Sequence, residues 1–141
     1  MNNARPPECR ATWLRIVRLG PAILLVLLTG CVMNPVTGRN ELRLVSEGRE
    51  VEIGQASYIQ QQQAQGGPYL THPDVDAYVK SIGNKLAAVS DRPNLPYEFV
   101  VLNNSVPNAW ALPGGKIAVN RGLLTELHSE AELAAVLGHE I

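Results

Sequence analysis

Ser129-Glu130-Ala131-Glu132-Leu133-Ala134-Ala135-Val136-Leu137-Gly138-His139-Glu140-Ile141 closes the sequence and governs how the rest is read. Ser129 and Glu132 have the S-x-x-E spacing of a capping box, which satisfies backbone N–H groups at a helix start. Ala131 and residues 133–137 are helix-forming and mostly apolar, which predicts a buried helix. Such a helix has little reason to carry ionisable groups, because a buried histidine or glutamate is costly unless paired or bound to something. His139 and Glu140 are therefore the candidate functional residues. No C-cap glycine, basic last turn or proline follows them, so the sequence is expected to be the first part of a longer protein, its last helix truncated. In the H-E-x-x-H pattern, two histidines at i and i+4 share a helix face and bind zinc, while the glutamate activates water. His139-Glu140 supplies two positions of that pattern, and on its own a structural histidine would be the ordinary explanation.

The residues upstream change that weighting. Asn108-Ala109-Trp110-Ala111-Leu112, then Pro113-Gly114-Gly115, then Lys116-Ile117-Ala118-Val119-Asn120 read as strand, turn, strand, with both glycines supplying positive φ and Ile117 and Val119 on one face. Arg121-Gly122-Leu123-Leu124 begins a short helical turn. Before them, Tyr97–Leu102 reads as a further strand bounded by Asn103-Asn104.

Taken together, Asn108–Gly115, Asn120–Leu124 and Glu130–Ile141 closely resemble a run found in metallopeptidase family forty-eight. That family includes CAAX prenyl proteases, mitochondrial inner-membrane quality-control proteases and periplasmic bacterial lipoproteins. The resemblance is tight over residues 105–141 and looser over 45–141. It implies a zincin-like fold, zinc as the cofactor, and protein or peptide substrates. His139 looks like the first zinc ligand and Glu140 like the general base. The strand around 108–112 is similar to the family's edge strand beside the active-site helix, where an extended substrate pairs by strand addition. Asn108 and Ala109 are accordingly substrate-contact candidates. Trp110 fits a core or a cleft role equally, while Glu126 and His128 read as solvent-facing. The family's second histidine and its downstream glutamate ligand have no counterpart in these 141 residues.

Two helices are expected before the strands. Ser46 begins the first, with Glu47 and Glu50 near its positive end, an imperfect apolar stripe of Val51, Ala56, Tyr58 and Ile59, and a solvated Gln60–Gln63 run before Gly66-Gly67-Pro68. The second has Thr71 as cap, Pro73 in the first turn, and Val75, Tyr78, Val79, Ile82, Leu86 and Val89 on one face. His72, beside the cap, reads as a surface histidine.

The N-terminus reads as an address. Arg5, Arg10, Arg15 and Arg18 precede an apolar run, Leu19–Leu28, that is too short for a membrane span of about 20 residues but suits a signal peptide. Leu28-Thr29-Gly30-Cys31 resembles a bacterial lipobox, making Cys31 the lipidation site and residues 1–30 the cleaved signal. Val32, rather than aspartate, then favours the outer membrane, placing the protein in the bacterial cell envelope, periplasmic and lipid-anchored. Asn34-Pro35 and Thr37-Gly38 mark residues 31–45 as anchor and tether.

With 45% hydrophobic and 18% charged residues, the chain has ordinary globular composition and is not wholly disordered. Eight basic and twelve acidic residues follow Cys31, so the exported part carries net −4, which argues against nucleic acid as a partner. Two cysteines exclude a zinc–thiolate cluster or a disulfide scaffold. The expected fold is α+β, helices on a small antiparallel sheet, with residues 46–141 the N-terminal part of a metallopeptidase domain. The function expected is that of a lipid-anchored zinc metalloendopeptidase acting on envelope proteins. The competing reading is a non-catalytic envelope lipoprotein with a chaperone-like or scaffold role on the same fold.

Overall fold

The computed structural model describes residues 31–33, 38–42 and 45–141. The signal segment, the lipobox residues before Cys31 and the Asn34-Pro35 turn lie outside them. The chain divides between Leu44 and Val45 into two units. In the first, β1 (Cys31–Met33) pairs antiparallel with β2 (Asn40–Leu42), Cys31 opposite Leu42. The expected tether therefore contains a short ladder, with Gly38 at φ 64° in the connection.

The second unit runs α1 (Glu47–Ala64), α2 (Pro73–Ala87), β3 (Glu98–Leu102), β4 (Ala109–Leu112), β5 (Lys116–Asn120), α3 (Arg121–Leu124) and α4 (Glu130–Glu140). This is the α+β architecture expected, with one correction. The sheet is mixed rather than antiparallel: its order is β3-β5-β4, with β3 parallel to β5 and β4 antiparallel to it. The cause lies in the 103–108 connection, which carries the chain over the end of β5 and back down as β4. It is tied there by Gly122 N–H to the Asn104 carbonyl (3.0 Å) and the Asn120 amide to the Val106 carbonyl (3.0 Å). Sequence-adjacent strands thus end up on opposite edges.

Alternation along the strands splits the core into two layers. Phe99, Val101, Ile117 and Val119 face α2 and α4, where Val79, Ile82, Leu133 and Leu137 complete the main cluster. On the other face lies α1, whose Tyr58 meets Trp110 edge-to-face (ring centroids 6.3 Å apart) and lies under the Lys116 ammonium (5.9 Å). Central and covered on both sides, β5 is buried at all five positions. Buried Lys116 is paired with the Glu98 carboxylate and also reaches the Pro96 carbonyl (3.3 Å). A lysine at that depth needs such partners.

Ser46 caps α1 as expected, accepting from Arg49 N–H at 3.4 Å, and Glu47 and Glu50 sit in the first turn. The helix buries Gly54, Tyr58 and Gln62, four residues apart, whereas Ala56 and Ile59 are exposed. At Gly54 the inward stripe has no side chain because the β4–β5 turn comes very close. A Cβ on Gly54 would stand 1.9 Å from the Pro113 carbonyl oxygen, and one on Gly114 would stand 2.5 Å from Val51 Cα. Gly114 also needs its φ of 77°, so the turn and its seat on α1 both depend on that residue.

His72, not Thr71, is the N-cap of α2, and no side chain caps it. Pro73, the first helical residue, has no N–H to leave unbonded at the helix start. Val79 and Ile82 are buried as expected, but Tyr78 and Val89 face out, and the Tyr78 hydroxyl donates to Glu130 (2.7 Å). That bond, more than burial or the Glu130 charge, holds the Tyr78 phenol above its ordinary range. No helix among the described residues is long and apolar enough to cross a membrane.

Candidate functional site

Ser129 accepts the Glu132 N–H (3.2 Å) and starts α4, while the Glu132 carboxylate takes the His128 N–H (2.6 Å), one residue before the usual capping-box partner. The helix is less buried than its composition suggests. Leu133 and Leu137 seat it on the core, and Ala131, Ala135, Gly138 and His139 face outward. This one-sided seating controls where the two candidate residues go. Successive helical residues diverge by about 100°, so His139 is exposed and Glu140 is half-buried.

Glu140 lines a cleft of 410 Å³. One wall is the end of β4 with the Pro113-Gly114-Gly115 turn, and another carries Glu50 and Arg92. The Arg92 guanidinium bonds Glu50 (2.7 Å) and Glu47 (3.3 Å), tying the loop after α2 to α1. Burial acts to lower its pKa, and the two carboxylates outweigh that and raise it, so Arg92 stays charged.

The same wall is a sheet edge, and register shows which backbone groups it offers. Asn120 N–H donates to the Asn108 carbonyl (2.9 Å), so in the antiparallel ladder Asn108, Trp110 and Leu112 turn their polar groups toward β5. Ala109 and Ala111 turn theirs outward, where nothing among the described residues pairs with them. Of the two substrate-contact candidates, Ala109 thus has an open backbone, and Asn108 has its carbonyl engaged. Sequence reading missed Ala111, which lines the cleft with Glu140. The signal was available: the glycine turn fixes Leu112 opposite Lys116, and counting back by twos leaves 111 and 109 on the free side. Arg92 carried no comparable signal.

Trp110 points toward α1, its indole N–H buried without a partner, so it belongs to the layer behind the edge. His128 is exposed, 3.8 Å from Glu132, and His72 is exposed beside the Tyr69 ring. Cys31 lies in the other unit. Among the described residues no three or more His, Cys, Asp or Glu side chains converge as a metal site. His139 has no hydrogen-bond or ion-pair partner among them, which suits a single imidazole donor, whereas a catalytic zinc takes three protein ligands.

Residues 73–141 match the sequence profile of Peptidase family M48. The beta-barrel assembly-enhancing protease of Yersinia pestis is 32% identical over 107 residues, covering 76% of this chain and 22% of that protein. The mitochondrial metalloendopeptidase OMA1 of Schizosaccharomyces pombe is 35% identical over 108 residues, 75% of this chain and 32% of that protein. The Arabidopsis thaliana OMA1 is 46% identical over 55 residues. The chain therefore spans between 22% and 32% of the length of the first two relatives. With the profile match over residues that form the edge strand, the glycine turn and the His-Glu helix, the chain belongs to peptidase family M48.

Proposed function

We propose that the chain is part of an exported, lipid-anchored zinc metalloendopeptidase that hydrolyses peptide bonds of envelope proteins as quality control. The observation that carries this reading is the half-buried Glu140 lining a cleft whose neighbouring wall is an open strand edge. Ala109 and Ala111 would pair with an extended substrate backbone and hold its scissile bond along the cleft. Glu140 would take the proton of the attacking water and return it to the departing amine. His139 would supply one imidazole to zinc, and the remaining ligands would come from sequence not contained in these 141 residues. When bound, zinc lowers the pKa of water toward about 7 and polarises the carbonyl.

The 141-residue chain alone, with one histidine donor in place, is expected to bind zinc weakly and to cleave nothing. In the longer protein this proposal requires, casein cleavage should be abolished by a strong chelator and restored by added zinc. Cleavage that persists in chelator would exclude the mechanism. An absence of cleavage with zinc fully loaded would favour the scaffold reading. The bacterial relatives named for beta-barrel assembly support an envelope location. Anchoring to the outer membrane rests on Leu28-Thr29-Gly30-Cys31. Cys31→Ser should lose all label from a radioactive fatty acid; equal labelling of wild type and variant would sink the anchor.

A further inference from the structure

The cleft that holds Glu140 has a charge balance that limits what can lie in it. Among its lining residues Arg92 is the sole lysine or arginine, and its charge is already taken. A single guanidinium nitrogen, Nη2, donates to both Glu50 (2.7 Å) and Glu47 (3.3 Å). One positive charge against two negative ones leaves that wall at −1. The Glu140 charge is offset when zinc is bound, so the lasting field of the cleft comes from this wall. Glu50 and Arg92 are held still by their bond, with 22% and 29% of their side chains accessible. A charge fixed in a cleft keeps its field, where one on open surface would lose it to water.

Apolar groups surround the paired charges. Ile53 on α1, Leu95 and Tyr97 in the segment after Arg92, and Leu112 at the end of β4 all line the cleft. Leu95 is buried, whereas Ile53 is exposed and would be covered by an apolar side chain placed there. A basic side chain would meet the spare carboxylate. An acidic one would meet that carboxylate with no free cation to offset it, and like charges brought together at a partly buried site are strongly unfavourable. A bound chain reaches this place directly. Ala111 and Leu112 line the cleft together, so a strand paired with Ala109 and Ala111 comes over it within one or two more residues, at about 3.3 Å each.

We propose that this cleft selects the substrate residue beside the scissile bond, taking an apolar side chain and refusing aspartate or glutamate because Glu47 and Glu50 have already claimed Arg92. Glu50 and Ile53 are then specificity-determining residues that never touch the reacting atoms. The selection rests on the peptidase reading above, since without cleavage there is no bond to choose.

The test uses the longer protein and a mixture of random-sequence peptides, with cut sites read by mass spectrometry and cuts that persist in chelator discarded. At one position beside the cut, leucine, isoleucine and phenylalanine should be enriched, and aspartate and glutamate depleted about 10-fold or more. Glu50→Gln releases Arg92 from its shorter bond and should bring acidic residues back to that position. Ile53→Lys, which adds a cation at an exposed position of α1, should do the same. Both changes are gains of cleavage, which a misfolded variant does not produce. Acidic residues accepted as readily as apolar ones by the wild type, or a depletion that persists in both variants, would overturn the selection and leave the peptidase reading intact. An absence of chelator-sensitive cuts would remove the peptidase reading and the selection with it.

Discussion

In the longer protein proposed above, Glu140→Gln is expected to keep the zinc content and to cut casein cleavage by about 10²-fold or more, the usual scale for losing a general base. Glutamine preserves size and hydrogen bonding, so the cleft wall stays intact, but it cannot accept the proton of the attacking water. His139→Ala should behave differently, losing the metal together with the activity, because an exposed imidazole with no other partner has no structural work to do. Metal content by atomic absorption separates the two cases. Full activity in Glu140→Gln would remove the hydrolytic mechanism.

Leu137→Ala should be the most destabilising single truncation in the helix that carries these residues, by about 2–5 kcal/mol, the range for emptying a well-packed leucine site. Leu137 has no solvent exposure and packs in the cluster with Val79, Phe99 and Ile117. With a total stability of about 5–15 kcal/mol for an ordinary domain, such a loss is a large fraction. On the same helix, Ala135→Gln faces outward and should stay within about 0.5 kcal/mol of wild type. Urea titration of both variants measures the difference. Equal midpoints would mean that α4 is not seated on the sheet through Leu137, and the placement of Glu140 would fall with it.

The sequence made those features visible that depend on local periodicity. The α2 stripe of Val79 and Ile82, the glycine turn at 114–115 and the Ser129 cap all repeat or punctuate at short range, and each stands where expected. Strand order does not work that way. Nothing within residues 97–102 specifies that β5 will insert between β3 and β4, since the 103–108 connection is held in place by Asn120 and Gly122, far along the chain. The α1 stripe escaped for another reason. Gly54 faces inward for lack of a side chain and Gln62 is buried despite being polar, so a search for apolar period passes over both. At the site, the roles proposed for His139 and Glu140 rest on residue type, whereas the division of one into solvent and the other into the cleft follows from the seating of Leu133 and Leu137.

The unequal edges of the sheet also limit how copies of this protein could associate. Two molecules meeting β4 to β4 would join their sheets into one of six strands, with Ala109 and Ala111 as neutral contacts and no charge to keep them apart. Both outer margins of that pair would then be β3, where Asp76 and the 66–69 segment occupy the ladder and leave a gap one residue long. A four-residue strand cannot seat in that gap. Growth by edge pairing would end at two molecules, so the fold can keep one receptive margin without becoming a template for fibres.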